Sequence, residues 1–257
     1  MSDQRWQAVQ EIWRTNQWLY VLTGFVAGVA VGPLLNLIQT VPGEISGNLI
    51  AELVGIGFTV LFIDRLYQRR ERLRRQNETR ERLIHEMGSP DNPTAVNAVR
   101  RLRTMGYLQN GTLRGMRMLY TNLEQANLFR ADCREMNMAN GNLHKANMVE
   151  ANLCGTYLRN ADLRNAKLMK ADLTKAKLLH ADCQGAVFAG AMLCNAELIE
   201  VDFRRANLHR ADLKGAKLMG AKFDEFTILP DGSRWTPNTD IKRFFSTRHP
   251  DYYAVES

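Results

Sequence analysis

Proline is scarce in this 257-residue chain: there are seven, and none lies between Thr94 and Leu229. A proline-free tract of that length outside a helical protein points to one uninterrupted architecture. Cysteine is also scarce. The four, Cys133, Cys154, Cys183 and Cys194, form no C-x-x-C pair and have no histidine at ligand spacing beside them. That excludes a cysteine-based zinc site and leaves free thiols. Glycine has no period of three, so a collagen helix is excluded. Apolar residues recur throughout, which excludes disorder. Motifs of catalysis are missing as well. His85-Glu86 lacks the second histidine of H-E-x-x-H, and there is no phosphate loop, G-x-S-x-G or dinucleotide fingerprint. No catalytic, cofactor-binding or metal residue is expected, and the chain reads as a non-enzyme.

The averages suit a soluble basic protein, with a net charge of +7 and a mean hydropathy of −0.31. The residues are not evenly spread. Trp18 to Ile38 is an uncharged apolar run, long enough to span a hydrocarbon core of about 30 Å. A second run, Ile45 to Leu66, is interrupted only by Glu52 before its closing Asp64-Arg65. Pro42-Gly43 marks a tight turn between them. A signal peptide fits poorly: the leading segment is long, holds Asp3 and Glu11, and precedes two apolar runs. The expectation is a two-helix transmembrane hairpin over 18–66, after an N-terminal segment 1–17. Gly24, Gly28 and Gly32 line one face of the first helix, and Ala51 and Gly55 repeat small-xxx-small spacing on the second. Such stripes let helices approach closely, either within the hairpin or between chains.

Residues 65–103 hold eleven arginines and no lysine. Positive charge flanking a span stays on the cytoplasmic side, so both ends of the hairpin are expected there. Asp64 to Met87 lacks glycine and proline, which predicts that the second span continues as a helix, with Glu71–Arg75 and Glu78–Arg82 as i,i+4 pairs. Arg65, Arg69, Arg70, Arg72, Arg74 and Arg75 sit next to the span and are candidates for anionic headgroups. Nucleic acid is the competing polyanion, but adjacency to the span favours lipid. A coiled coil is only weakly indicated, because Arg80 breaks the heptad of Leu66 and Leu73. Asn92 and Pro93 read as N-cap and N1 of a further helix with Ala95, Val96, Val99 and Leu102 on its apolar face, and Gly106 as its C′ residue. This connector and cap fill 67–110.

From Leu113 every fifth residue is apolar, through Leu163 and Leu193 to Phe223 and Ile228. Two residues earlier the position is mostly alanine, and the residue between is often Asn or Asp, as in Asn122 and Asp162. A period of five fits neither helix nor strand. It requires a coil that turns a corner every quintet, the signature of a solenoid. The quintets ADLRN, AKLMK, ADLTK and ANLHR resemble those of the pentapeptide-repeat family. The resemblance implies a right-handed quadrilateral β-helix of about six coils over 111–230. The stretch LPDGSRWTPNTDIKRFF resembles the tails that follow the repeats in bacterial members, and 231–257 is expected to be a C-terminal cap and tail, with Trp235 and Phe244 able to cover the last coil.

The residue after each central apolar one should face outward. In alternate quintets that position holds Leu119, Phe129, Ala139, Val149, Met169, Leu179, Ala189, Ile199, Met219 and Leu229, with Arg159 and His209 the exceptions. On a four-quintet coil these fall on two opposite sides, and apolar ladders on a rod mark contact surfaces. Leu119, Phe129, Val149, Met169, Leu179, Ile199 and Met219 are the candidate partner interface. Some members of the family resemble DNA and bind topoisomerases, a mode that needs an acidic rod. Here residues 111–230 carry 17 Lys+Arg and 13 Asp+Glu. The expected function is a scaffold or accessory subunit anchored in the bacterial cytoplasmic membrane, with the rod in the cytoplasm, anionic lipid as one partner, and another subunit or a second copy as the other. A regulator of a topoisomerase or nucleic acid, or a small oligomeric channel with Glu52, is the alternative.

Overall fold

The computed structural model describes the backbone of residues 47–255 and the side chains from residue 57 onward. The first apolar run, with Gly24, Gly28 and Gly32, lies outside the described residues. The chain divides into two compact units, Met1–Arg69 and Arg70–Ser257, and each is described by itself.

Helix α1, Gly47–Met87, is continuous over 41 residues, as the absence of breakers after Gly57 dictates. Among the described residues no helix is long and apolar enough to cross a membrane. The described apolar stretch of α1 reaches only from residue 57 to Ile63 before Asp64 and Arg65 follow. Glu71 holds Arg75 at 2.9 Å as expected. Glu78 does not pair with Arg82: it takes Arg74 at 2.9 Å, one turn back, while Arg82 turns to Glu86 at 3.7 Å.

In the second unit the last turns of α1 bury Leu83 and Met87. Helix α2, Asn92–Thr104, buries Ala95, Ala98, Val99 and Leu102 against the same cluster. Its N-cap is Asp91, whose carboxylate accepts from Thr94 N at 3.0 Å. The sequence places the cap one residue later, at Asn92. Asn92 is already helical, with Pro93 following it in the first turn. The C-terminus closes as expected, with Gly106 at φ 75°. Gly106 N bonds to Arg103 O at 3.0 Å and Tyr107 N to Leu102 O at 2.9 Å, the two bonds of a Schellman motif.

Beyond Gly111 the chain winds in coils. Parallel bridges join one residue of each quintet to the one twenty positions on, from Arg117↔Asn137 to Asp202↔Lys222. Four quintets therefore make one turn, and coils stack at about 4.8 Å. We number the four sides by their first bridging residues: side 1 from Arg117, side 2 from Asn122, side 3 from Asn127, side 4 from Asp132. Every central residue from Leu113 to Leu218 is buried, and the alanines two places earlier fill the remaining interior.

The quintet explains itself through backbone accounting, because every buried donor needs an acceptor. In Gly141–Lys145, Gly141 N closes the corner onto Met138 O at 3.1 Å. Asn142 N bonds back to Thr121 O at 2.8 Å, while Leu143 N and Lys145 N bond forward to Asp162 O and Arg164 O at 2.8 and 2.9 Å. The fifth donor, His144 N, is taken by the Asn142 side chain at 3.0 Å. The recurrent Asn or Asp at the bridging position is thus a cap on its own turn. Each corner needs a left-handed residue. Glycine supplies it at Gly155, Gly185 and Gly215, but Lys145, Glu150, Arg205 and others adopt φ between 54 and 60°.

The five-residue register ends at Phe223. After Asp202↔Lys222 the next bridge is Asn207↔Ile228, so one extra residue has entered the turn at Asp224-Glu225-Phe226. Ile228 is consequently a bridging residue and not an inward one. Leu229, expected to face outward, is fully buried. Thr227 takes the small inward position, and its hydroxyl donates to Phe203 O at 3.0 Å. The chain then folds back in an antiparallel bridge, Ile228↔Arg234. Trp235 stacks on Phe223 and Phe223 on Phe203, at 6.3 and 5.7 Å. Asp240 caps a 3₁₀ turn, Ile241–Phe244, that buries Phe244.

Candidate interaction surface

The rod's outer residues are placed by the corner. The residue after each central one sits at the first turn position and points outward. The register puts Leu119, Leu179, Ile199 and Met219 on side 1 and Phe129, Val149 and Met169 on side 3. The two ladders are therefore on opposite sides, as the ten-residue superperiod requires. They are not uniformly prominent. Met219 is 73% and Met169 38% exposed, while the other five are half-buried. A stacking interval of about 4.8 Å lets each side chain rest on the one a coil away. Arg159 interrupts side 1 and His209 ends side 3. The guanidinium of Arg130 lies 4.9 Å over the Phe129 ring, and Lys177 lies 4.5 Å over Tyr157 on side 1.

Sides 2 and 4 are polar ladders. On side 2 Arg164 grips Asp162 with a fork at 2.9 and 2.6 Å. Arg204 repeats the arrangement on Asp202. Burial works to raise both aspartate pKa values, but the arginine fork and the backbone N–H of the same arginine outweigh it and hold the carboxyls below their usual range. On side 4 the Arg134 hydrogen bond lowers Asp132 likewise. Burial pushes the Cys133 thiol up to about 12, with Asp132 adding to the shift. The Cys194 thiol, also raised by burial, stands at about 11 and lies 3.0 Å from Asp212. These thiols are protonated at neutral pH. Among the described residues no group of His, Cys, Asp and Glu could hold a metal ion. His144, His180 and His209 lie on sides 2, 1 and 3 and do not converge.

Arg65, Arg69, Arg70, Arg72, Arg74 and Arg75 are all exposed along α1. They are not equivalent, since Arg74 and Arg75 already hold Glu78 and Glu71. Ala51 lies in α1, and apart from neighbouring residues and backbone of the same helix no described atom comes within 4 Å of where a Gly55 Cβ would stand.

The sequence did not expose how the first coil is sealed. Its outward carbonyls have no earlier coil to pair with. Asn92 Nδ2 donates to Asn122 O and Glu124 O at 3.3 and 3.0 Å. Arg103 donates to Asn127 O and Phe129 O at 2.6 and 3.2 Å. Ser89 O and Leu108 O accept from Asn122 N and Asp132 N at 3.0 and 2.7 Å. The cap thus imitates a missing coil on sides 2, 3 and 4.

A family model described as pentapeptide repeats matches the chain in eight copies across 108–224. None of the curated proteins matches. Among solved structures, a trypsin-treated variant of QnrB1, a plasmid-mediated fluoroquinolone resistance protein, is 18% identical over 46% of this chain, with a TM-score of 0.29. The chain spans 64% of that structure's length. A pentapeptide repeat protein of the Arabidopsis thaliana thylakoid lumen is 26% identical over 52% of this chain and 75% of its own, at a TM-score of 0.29. Rfr23 from the cyanobacterium Cyanothece 51142 is 22% identical over 49% of this chain and 99% of its own, at 0.23. The repeats imply a right-handed quadrilateral β-helix.

Proposed function

We propose that this chain, a member of the pentapeptide-repeat family, is a non-catalytic scaffold or accessory subunit that is anchored in a membrane and presents its rod on the cytoplasmic side for assembly with other subunits or with itself. The observation that carries the anchoring is on α1. Phe58, Val60, Leu61, Phe62 and Ile63 are between 45% and 59% exposed, all round the helix. A helix that is apolar on every side belongs in a core or in lipid. Here the apolar residues continue upstream, and Tyr67 and the arginines follow, the order of core, aromatic belt and headgroup. The rod suits presentation. Four of five backbone donors per quintet are bonded to other backbone, so little conformational freedom is left to lose on binding.

Membrane fractionation tests the anchor. The full chain is expected in the membrane pellet after an alkaline wash, and a chain lacking 18–66 in the supernatant. Recovery of the full chain from the soluble fraction overturns the anchoring. Affinity purification in mild detergent tests the scaffold role: a complex larger than one chain is expected, and a free monomer contradicts it.

A further inference from the structure

The two ends of the rod are closed differently. At the C-terminal end, side 3 is covered: Leu208 N and Arg210 N bond to Ile228 O and Pro230 O, each at 2.8 Å. The corner of side 4 is covered too, where Gly215 N bonds to Phe245 O at 2.9 Å. Sides 1 and 2 are left open, and on side 4 Leu213 N and Ala211 O beside that corner also have no partner among the described residues. One coil earlier on side 1, Leu198 N, Glu200 N and Ala196 O all pair with the next coil at 2.9 Å. Their counterparts, Leu218 N, Gly220 N and Ala216 O, have no partner among the described residues. Phe223 N and Ala221 O on side 2 are in the same state.

An open edge of donors and acceptors is a template for another strand. Its side chains state which strand. Side 2 runs Asn122, Asn142, Asp162, Asp182, Asp202, and then changes sign to Lys222 at the edge. Side 1 ends in Lys217, which reaches Glu197 at 3.1 Å, followed by the exposed Met219. A second copy is disfavoured in both arrangements. A two-fold pairing that keeps inward residues facing each other sets Lys217 opposite its own counterpart or diagonal to it. Head-to-tail stacking in register sets Lys217 against the exposed Arg117 of side 1. Like charges directly opposite destabilise a strand pair.

We infer that the open C-terminal edge on sides 1 and 2 is a docking site for an acidic segment of a partner protein, which adds as a short strand on side 1 and turns the corner to continue on side 2, with its carboxylates facing Lys217 and Lys222. The site shares only Met219 with the apolar ladders and does not depend on membrane anchoring.

The test uses the full chain in detergent with two synthetic probes, Ac-TVEVEVT-NH2 and its lysine counterpart Ac-TVKVKVT-NH2. Fluorescence anisotropy is expected to show the glutamate peptide binding at least tenfold more tightly, with the preference inverted in K217E/K222E. Amide exchange on the unaltered chain is expected to slow at Leu218 and Gly220 when the glutamate peptide is added, a readout that needs no variant to fold. Equal affinity for the two peptides, or exchange at Leu218 and Gly220 that does not change, overturns the inference. So does protection of those amides that rises with protein concentration alone, which would mean a second copy occupies the edge.

Discussion

Lys145 and its equivalents show what a corner demands of a single residue. A non-glycine residue in the left-handed region costs about 1–2 kcal/mol, and the rod accepts it because the N–H there is bound into the next coil. Where glycine already sits, the reverse substitution is costly. Gly215→Ala, at φ 71° with a Cβ only 2.5 Å from Asn195 Oδ1, should lose about 1–2 kcal/mol, read from the denaturation midpoint. Inward residues are less forgiving. Leu163→Ala should lose about 2–5 kcal/mol, since the coils above and below cannot close around the void. The carboxylates give a pH signature. Asp132, Asp162 and Asp202 have pKa values below normal in the folded rod, so their stabilisation is fully present above the ordinary carboxylate value of about 3.9 and is lost as pH falls below it. Thermal melts from pH 7 to pH 3 should show a decline confined to the acid end, and smaller in a D162N/D202N chain. A decline of equal size in that variant contradicts the assignment.

At the scale of elements, the caps are the informative parts. Replacing Asn92 and Arg103 by alanine exposes four first-coil carbonyls at once, and native amide exchange should speed up at the first coil while the middle coils stay protected. Exchange that rises evenly along the rod would show that the two side chains do not act as an end seal. On α1, Arg69 and Arg70 should matter more for lipid than Arg74 and Arg75. At about 1 kcal/mol per charge, R69Q/R70Q should weaken binding to phosphatidylglycerol vesicles roughly thirtyfold, and R74Q/R75Q clearly less. Equal losses contradict that ranking. The repeat was legible in the sequence because one inward residue per quintet cannot vary without opening the core. The end of the repeat was not. Ile228 keeps the period of five by chance, and the extra residue in Asp224-Glu225-Phe226 shows itself only through pairing with Asn207. The seal by Asn92 and Arg103 was hidden for a similar reason: neither residue belongs to the repeat, and both act on carbonyls more than twenty positions away.

For the whole molecule, the low mean hydropathy proves to be an average of unlike parts. An exposed apolar stretch leads into an arginine-rich helix, and a rod follows whose polar sides are internally neutralised by forks such as Arg164 on Asp162. Along its flanks, apart from the C-terminal edge, the surface proposed for contact is sides 1 and 3, with their apolar ladders. The most direct measurement is the mass of the detergent-solubilised full chain by light scattering, alone and as M169E/L179E/I199E. If the ladders are contact surfaces, the unaltered protein will run as an assembly and the triple variant will fall to a single chain with its β-structure intact. The same mass for both would contradict the account.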